Sequence, residues 1–248
     1  FFQNTKLTQT YKEIFYVNDA VAYGWNKKAS EYLNKLEKKF AKYLGCKYAI
    51  ATSSCTGAMQ IALMSLGIKK GDEVIVPNIT WVATAKAISY VGATPVFADI
   101  SINDWTLDTR SFEKLITKKT KAVMPVHLYG QPASMKKIIS IARKYKIFVV
   151  EDAAPAIGAK FSGKKCGTFG EFGAFSFQGA KLLVSGEGGM LVTNNYQLYK
   201  KALKISNQGR NEKKTFVIDS EGVKFKMSNI QAALALAQLE RISELIAL

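Results

Sequence analysis

Acidic residues are scarce in this 248-residue sequence: 19 Asp and Glu stand against 35 Lys and Arg, a formal charge of +16. Histidine occurs once, at His127, and cysteine three times, at Cys46, Cys55 and Cys166. One histidine without metal-ligand spacing argues against zinc hydrolysis and His-based triads, and no metal is expected. An odd number of widely spaced cysteines argues against a disulfide framework and suits a reducing compartment. Although 48% of the residues are hydrophobic, no uninterrupted apolar run is long enough to cross a membrane, so no membrane insertion is expected. The opening "FFQNTKLTQTYKEIFY" lacks the basic start and apolar core of a signal peptide, which makes the cytoplasm the expected location. The first residue is Phe and the final "LERISELIAL" stops within a helical pattern, so both ends are expected to be cut. The lysines are spread over helix faces such as "NKLEKKFAKYLG" without interleaved aromatics. That pattern predicts a solvated surface that favours anionic small molecules, phosphates above all, and no nucleic-acid partner.

What is present is alternation. Helical periodicity from Glu31 to Leu44 stops at Gly45, and the strand-like "KYAIATS" is followed by the helical "TGAMQIALMSLGI". Strands then follow at "VIVP", "TPVFADI", "KAVMPVHLYG" and "IFVVEDAA", separated by helices at "WVATAKAISYVG", "SFEKLIT" and "SMKKIISIARKYK". Strands joined through helices of this length imply right-handed crossovers and a mostly parallel sheet covered on both faces. Beyond Ala159, "GAFSF" and "GGMLVTN" are expected to add antiparallel strands at the sheet edge. Helices are expected near Tyr196 to Ser206 and over Ser228 to Ala247. No internal repeat or low-complexity tract is present.

In such sheets ligands gather at the carboxyl ends of the strands, where four groups of residues fall. "TSSCTG", Thr52 to Gly57, is either a plain helix cap or a phosphate seat built from a helix start. Asp152 ends an apolar strand and is either the cap of a following helix or a carboxylate facing a cationic heterocycle nitrogen. Trp81 is either core or a plate beneath a planar ligand. Lys181, alone among the apolar, hydroxylic and glycine residues of "FSFQGAKLLVSGEGGML", either snorkels to the surface or serves as an amine that attacks a carbonyl. A phosphate seat, an aromatic plate, a carboxylate and an amine around one switch point together suit pyridoxal phosphate.

These residues resemble the DegT/DnrJ/EryC1/StrS family of pyridoxal-phosphate-dependent sugar aminotransferases, from about Phe15 to the last residue. The carrying segments include "ATSSCTGAMQIALMSLGIKKGDEVIVPNITW", "PVHLYGQPA", "EDAAPAIGA", "GTFGEFGAFSFQGAKLLVSGEGGMLVTN" and "KMSNIQAALALAQLERI". The resemblance implies the type I aminotransferase fold, a three-layer α/β/α arrangement. Its large cofactor-binding domain would span 1–226, with an N-terminal helical segment over about 1–45. Residues 227–248 would lead into a small C-terminal domain that is largely missing. By the same resemblance Lys181 matches the catalytic, cofactor-bonding lysine, Asp152 the partner of the pyridinium nitrogen and Trp81 the stacking aromatic. Cys55, Thr56 and Ser176 match phosphate-binding positions, and Gln178 a polar position close to the lysine. Lys224 stands where many members carry an asparagine that reaches the cofactor phosphate of a partner subunit, so a homodimer with shared sites is implied. The chain departs from the family at Pro155, where a ring-hydroxyl donor is usual, and at Cys55-Thr56-Gly57, where "GTA" or "GTT" is usual.

The activity implied is transfer of an amino group, usually from glutamate, to a nucleotide-linked keto-sugar for cell-surface polysaccharide or glycan synthesis. "EDAAPAIGA" and "SFQGAKLL" look most like the perosamine-synthase branch, which aminates a GDP-linked 4-keto-6-deoxy sugar. Two rival expectations are a dehydratase on the same fold, in which the family replaces the lysine by histidine, and a non-catalytic binding or regulatory protein.

Overall fold

The computed structural model describes residues 10–211, 214 and 216–247. In chain order the elements are α1 (Tyr11–Tyr23), α2 (Glu31–Leu44), β1 (Tyr48–Thr52), α3 (Cys55–Ser65), β2 (Glu73–Pro77), α4 (Val82–Tyr90) and β3 (Thr94–Ala98). These are followed by α5 (Thr109–Lys114), β4 (Thr120–Val123), α6 (Met135–Tyr145), β5 (Phe148–Asp152), β6 (Lys160–Phe161), β7 (Lys164–Lys165) and β8 (Phe172–Ser176). The last are β9 (Gly189–Thr193), α7 (Tyr196–Ser206), α8 (Asn229–Glu240) and α9 (Ile242–Ala247).

A seven-stranded sheet runs β1-β9-β8-β5-β4-β2-β3. Its β8-β5, β5-β4, β4-β2 and β2-β3 pairs are parallel, while β9 is antiparallel to both neighbours. The mostly parallel α/β sheet is thus as the alternation implied. The expected place of the two late strands needs correction: β8 runs parallel to β5, β9 lies between β1 and β8, and both are inside the sheet rather than at its edge. All five β9 residues are buried, so its apolar run "GMLVT" belongs where both faces are covered.

The period of two along each strand sorts side chains between the layers. Ile50, Val74, Val76, Ala122, Val150 and Leu191 pack toward α3, α4 and α7. Their strand neighbours face the other way. Ala49, Ala51, Met190 and Val192 meet α1, α2 and α8, while Ile75, Val123 and Val149 meet α5 and α6. Phe40 of α2 anchors the first of these opposite-face clusters, with its ring edge-on to Phe175 at 5.2 Å and Phe177 at 5.5 Å. Phe40→Ala should therefore cost about 3–5 kcal/mol, read as a lowered denaturation midpoint with unchanged slope.

Helix α1 lies within the N-terminal helical segment that the resemblance implied over about 1–45. Thr10 and Glu13 start it: the Glu13 carboxylate accepts the Thr10 N–H at 2.9 Å, half of a capping box. Two local readings differ from the structure. The strand expected across "KAVMPVHLYG" ends at Val123, since Pro125 cannot donate to a ladder. The terminal helix breaks at Arg241 into α8 and α9. The Arg241 guanidinium there binds Glu13 at 2.8 Å and Glu244.

Strand β1 forms one edge of the sheet, and its outward Ala51 N–H donates to Glu37 Oε1 at 2.8 Å. Burial pushes the Glu37 carboxyl up to about 7, against the opposing pull of that N–H and of Lys226. A carboxyl whose folded pKa exceeds its unfolded value stabilises most below the unfolded value, and that contribution is lost as pH rises through about 7. Glu37→Gln should remove about 2–3 kcal/mol of this loss between roughly pH 4.5 and 8, seen as a flatter plot of denaturation midpoint against pH.

Candidate active site

The carboxyl ends of β1, β2, β5 and β8 bring the candidate residues to one edge of the sheet. Asp152, the last residue of β5, is only 4% exposed. Its backbone is locked on both sides, since its N–H donates to Pro125 O at 2.9 Å and its carbonyl accepts His127 N–H at 3.1 Å. Its side chain accepts the Thr84 hydroxyl at 2.7 Å and the Ala154 N–H at 3.1 Å. No helix starts there, so capping does not account for this residue. Burial raises the Asp152 pKa, while the Thr84 bond, the Ala154 N–H and the Lys181 charge pull it down. A carboxylate held in this way favours a cationic neighbour.

Lys181 rides on the loop of the β8–β9 hairpin. Phe177 N–H donates to Gly188 O at 2.9 Å, Ser185 N–H to Phe177 O at 2.8 Å, Gly179 N–H to Gly186 O at 3.1 Å and Lys181 N–H to Gln178 O at 2.9 Å. The buried Leu183 pins the loop to the core. The lysine itself is half-buried, not sunk in the interior as its apolar neighbours suggested, because Gln178, Gly179 and Ala180 are exposed beside it. Gln178 turns its amide oxygen back to Ala180 N–H at 2.8 Å, ordering the loop ahead of the lysine.

The start of α3 forms the third part. Ser54 caps the helix by accepting Gly57 N–H at 3.0 Å, and the earlier N–H groups of the first turn have no intrahelical acceptor. Both readings of "TSSCTG" therefore hold together: it is a cap, and the cap leaves donors over. Cys55 is buried, and burial followed by the Asp152 charge raises its thiol well above the ordinary value. The thiol stays protonated, and what Cys55 presents is its backbone. A Cβ on Gly189 would lie 2.6 Å from Cys55 N, and one on Gly57 would lie 3.0 Å from the Phe225 ring. These two glycines let the hairpin and the 223–227 segment close on the helix start. Phe225 O accepts Ser53 N–H at 2.7 Å, which sets the exposed Lys224 on the adjoining segment. Ser176 is buried at the end of β8, with only a long 3.4 Å bond from Gln178 N–H to its hydroxyl.

Trp81 precedes α4 and is 78% exposed, so it is not core. Thr84, one turn on, is the partner of Asp152 that the sequence reading missed, and no local signal marks it. Also missed was Glu151, which pairs behind the site with His127, the lone histidine that the sequence marks as structural rather than catalytic. His127 and Glu151 are fully buried with Nε2 3.0 Å from Oε2, and Glu151 further accepts Gly167, Phe169 and Gly170 N–H at 2.6–2.8 Å. The Ala133 N–H donates to His127 Nδ1, so the ring proton sits on Nε2. His127 thus acts as a strut.

The residues present fit pyridoxal phosphate. A buried carboxylate answers a protonated ring nitrogen, spare helix-start N–H groups and the Ser176 hydroxyl answer a phosphate, and an amine electrostatically coupled to Asp152 answers the aldehyde. Among the described residues no cluster of His, Cys, Asp and Glu suits a metal ion, and no helix is long and apolar enough to cross a membrane.

Comparison with known proteins adds an independent finding. The profile of the DegT/DnrJ/EryC1/StrS aminotransferase family matches residues 8–248. GDP-perosamine synthase of Escherichia coli O157:H7 is 44% identical over 237 residues, covering 96% of this chain and 65% of that protein. The structure of an aminotransferase from Psychrobacter cryohalolentis aligns with a TM-score of 0.90 at 32% identity, covering 96% of this chain and 63% of that one. A Streptococcus pneumoniae structure in its PLP form aligns with a TM-score of 0.87 at 30% identity, covering 95% of this chain and 65% of that one. The chain spans less than two thirds of the length of these proteins.

Proposed function

We propose that this chain, which belongs to the DegT/DnrJ/EryC1/StrS aminotransferase family, is the cofactor-holding part of an enzyme that moves an amino group from glutamate to a nucleotide-linked keto-sugar. The likeness to GDP-perosamine synthase supports a GDP-linked 4-keto-6-deoxy acceptor, and hence a role in cell-surface polysaccharide synthesis in the cytoplasm. The observation that carries the reading is the buried Asp152 carboxylate under the electrostatic pull of the half-buried Lys181.

Bound pyridoxal phosphate supplies the electron sink that stabilises the carbanion left when the donor's Cα loses its proton. Asp152 keeps the ring nitrogen protonated, because its own charge has no water to share and gains most from a proton held opposite it. Thr84 and Ala154 N–H fix the direction of that carboxylate. Cys55 and Thr56 N–H together with the Ser176 hydroxyl hold the phosphate, and Trp81 covers the ring. Lys181 Nζ collects the Cα proton as base and hands it back as acid. Its loop is tied through backbone bonds, so the amine moves on its own side-chain torsions. Gln178 orders the loop, and Lys224 extends toward the site of a second subunit in a homodimer. Over a full cycle glutamate becomes its 2-oxo acid and the keto-sugar becomes an amino sugar.

The test is borohydride reduction of the full-length protein after incubation with pyridoxal phosphate, followed by peptide mass analysis. A phosphopyridoxyl mass on the Lys181 peptide is expected, and its absence overturns the proposal. In parallel, glutamate and a panel of nucleotide keto-sugars should yield a product with nitrogen in place of oxygen. A deoxygenated product would point to dehydration instead.

A further inference from the structure

A hollow of about 360 Å³ lies between the 103–105 segment and the 128–131 turn, lined by Asn103, Asp104, Trp105, Leu128, Tyr129 and Gln131. It opens at the same carboxyl edge as the site, because these segments follow β3 and β4. His127, two residues before Tyr129, is hydrogen-bonded through its backbone to Asp152. Two features set the hollow apart from ordinary loop surface. Trp105 and Tyr129 are 52% and 79% exposed, yet both hold left-handed backbone conformations, with φ of 58° and 53°. Large residues adopt such angles rarely and at a cost. The polar groups of the hollow are also largely unspent. Among the described residues no hydrogen-bond partner is found for the Trp105 indole N–H, the Tyr129 hydroxyl or the side chains of Asn103 and Gln131. Asp104 uses Oδ1 for the Thr106 N–H and hydroxyl, at 3.0 and 2.9 Å, and leaves Oδ2 free.

We propose that this hollow seats the base of the nucleotide-linked substrate between Trp105 and Tyr129, and that the base is guanine. The proposal rests on the nucleotide-sugar reading above and adds where the nucleotide is read. Two exposed aromatic faces suit a planar ring system, since stacking needs only a π-face. Selection then falls to Asp104. An ionised carboxylate only accepts hydrogen bonds, and guanine presents two adjacent donors, N1–H and the N2 amino group. Adenine sets an acceptor beside its amino donor, and uracil sets one donor between two carbonyl oxygens, so each brings an oxygen or nitrogen lone pair against the carboxylate.

Calorimetric titration of the cofactor-loaded full-length protein with GDP, ADP and UDP tests this without requiring turnover. GDP should bind at least about tenfold more tightly than the others. Trp105→Gly and Tyr129→Gly should each weaken GDP about tenfold, while the melting temperature stays level or rises, because glycine takes a positive φ freely. Asp104→Asn should abolish the preference for GDP over ADP. Unchanged GDP affinity in both glycine variants overturns the proposal, as does a wild type that binds no GDP. A change in sedimentation mass without a change in GDP affinity also overturns it, and marks the patch as a subunit contact. Borohydride trapping at Lys181 separates the two readings: trapping intact with GDP binding unaltered removes this subsite alone, whereas no trapping in the wild type removes the aminotransferase itself.

Discussion

Lys181→Ala is expected to lower the rate of amino transfer by about 10³-fold or more while leaving the fold as stable as before. Under the proposed function one side chain holds two duties, bonding the cofactor and carrying the proton to and from carbon, and acid-base transfer alone is worth about 10²–10⁴. Stability holds because the Lys181 side chain has no hydrogen bond or ion pair among the described residues and its loop is tied by backbone bonds. Changes at such positions usually stay within about 0.5 kcal/mol. Steady-state rates, melting curves and borohydride labelling together check the prediction, and small primary amines added to the buffer should restore part of the rate. A variant retaining a tenth of wild-type activity would show that the proton travels by another group.

Asp152→Asn is expected to move cofactor binding and protein stability in opposite directions. Asparagine keeps the shape: its oxygen can accept the Ala154 N–H while its amide N–H donates to the Thr84 hydroxyl oxygen, so the site should remain assembled. The charge is lost, and removing one member of a buried ion pair costs about 3–5 kcal/mol. Cofactor affinity and turnover should therefore fall together by about 10² to 10³-fold. Before cofactor binds, the balance is reversed. Burial has raised the Asp152 pKa above its unfolded value, so ionising it at neutral pH destabilises the fold, and asparagine relieves that penalty. The apoprotein of the variant should melt at a higher temperature than wild type near pH 7. The difference should shrink as pH falls through the unfolded aspartate range. Isothermal titration with pyridoxal phosphate and scanning calorimetry of the apoprotein read the two halves. Equal melting temperatures at pH 7 would mean that Asp152 is not the strained group its surroundings describe.

Much of this was legible in the chain itself. The helix expected near Tyr196 to Ser206 lies there, and the structure shows Asn195 capping it. Lys181 stood out by isolation and Asp152 by ending an apolar strand. Trp81 was harder, since its type favours the interior and only the fold leaves it 78% exposed. Thr84 was invisible, as nothing about a threonine one turn into a helix says that a carboxylate 68 residues away will need its hydroxyl. Glu151, the buried partner of His127, was hidden for the same reason.

Local pattern determined the order and type of most elements and singled out the lysine, because periodicity, caps and turn glycines act over a few residues. Only tertiary structure decided that β9 threads between β1 and β8, that two glycines let the hairpin close on the start of α3, and that Asp152 loses its water while Lys181 keeps some of its own. Those outcomes depend on strand register and on which surfaces exclude solvent, and both are settled by contacts between residues far apart in the chain.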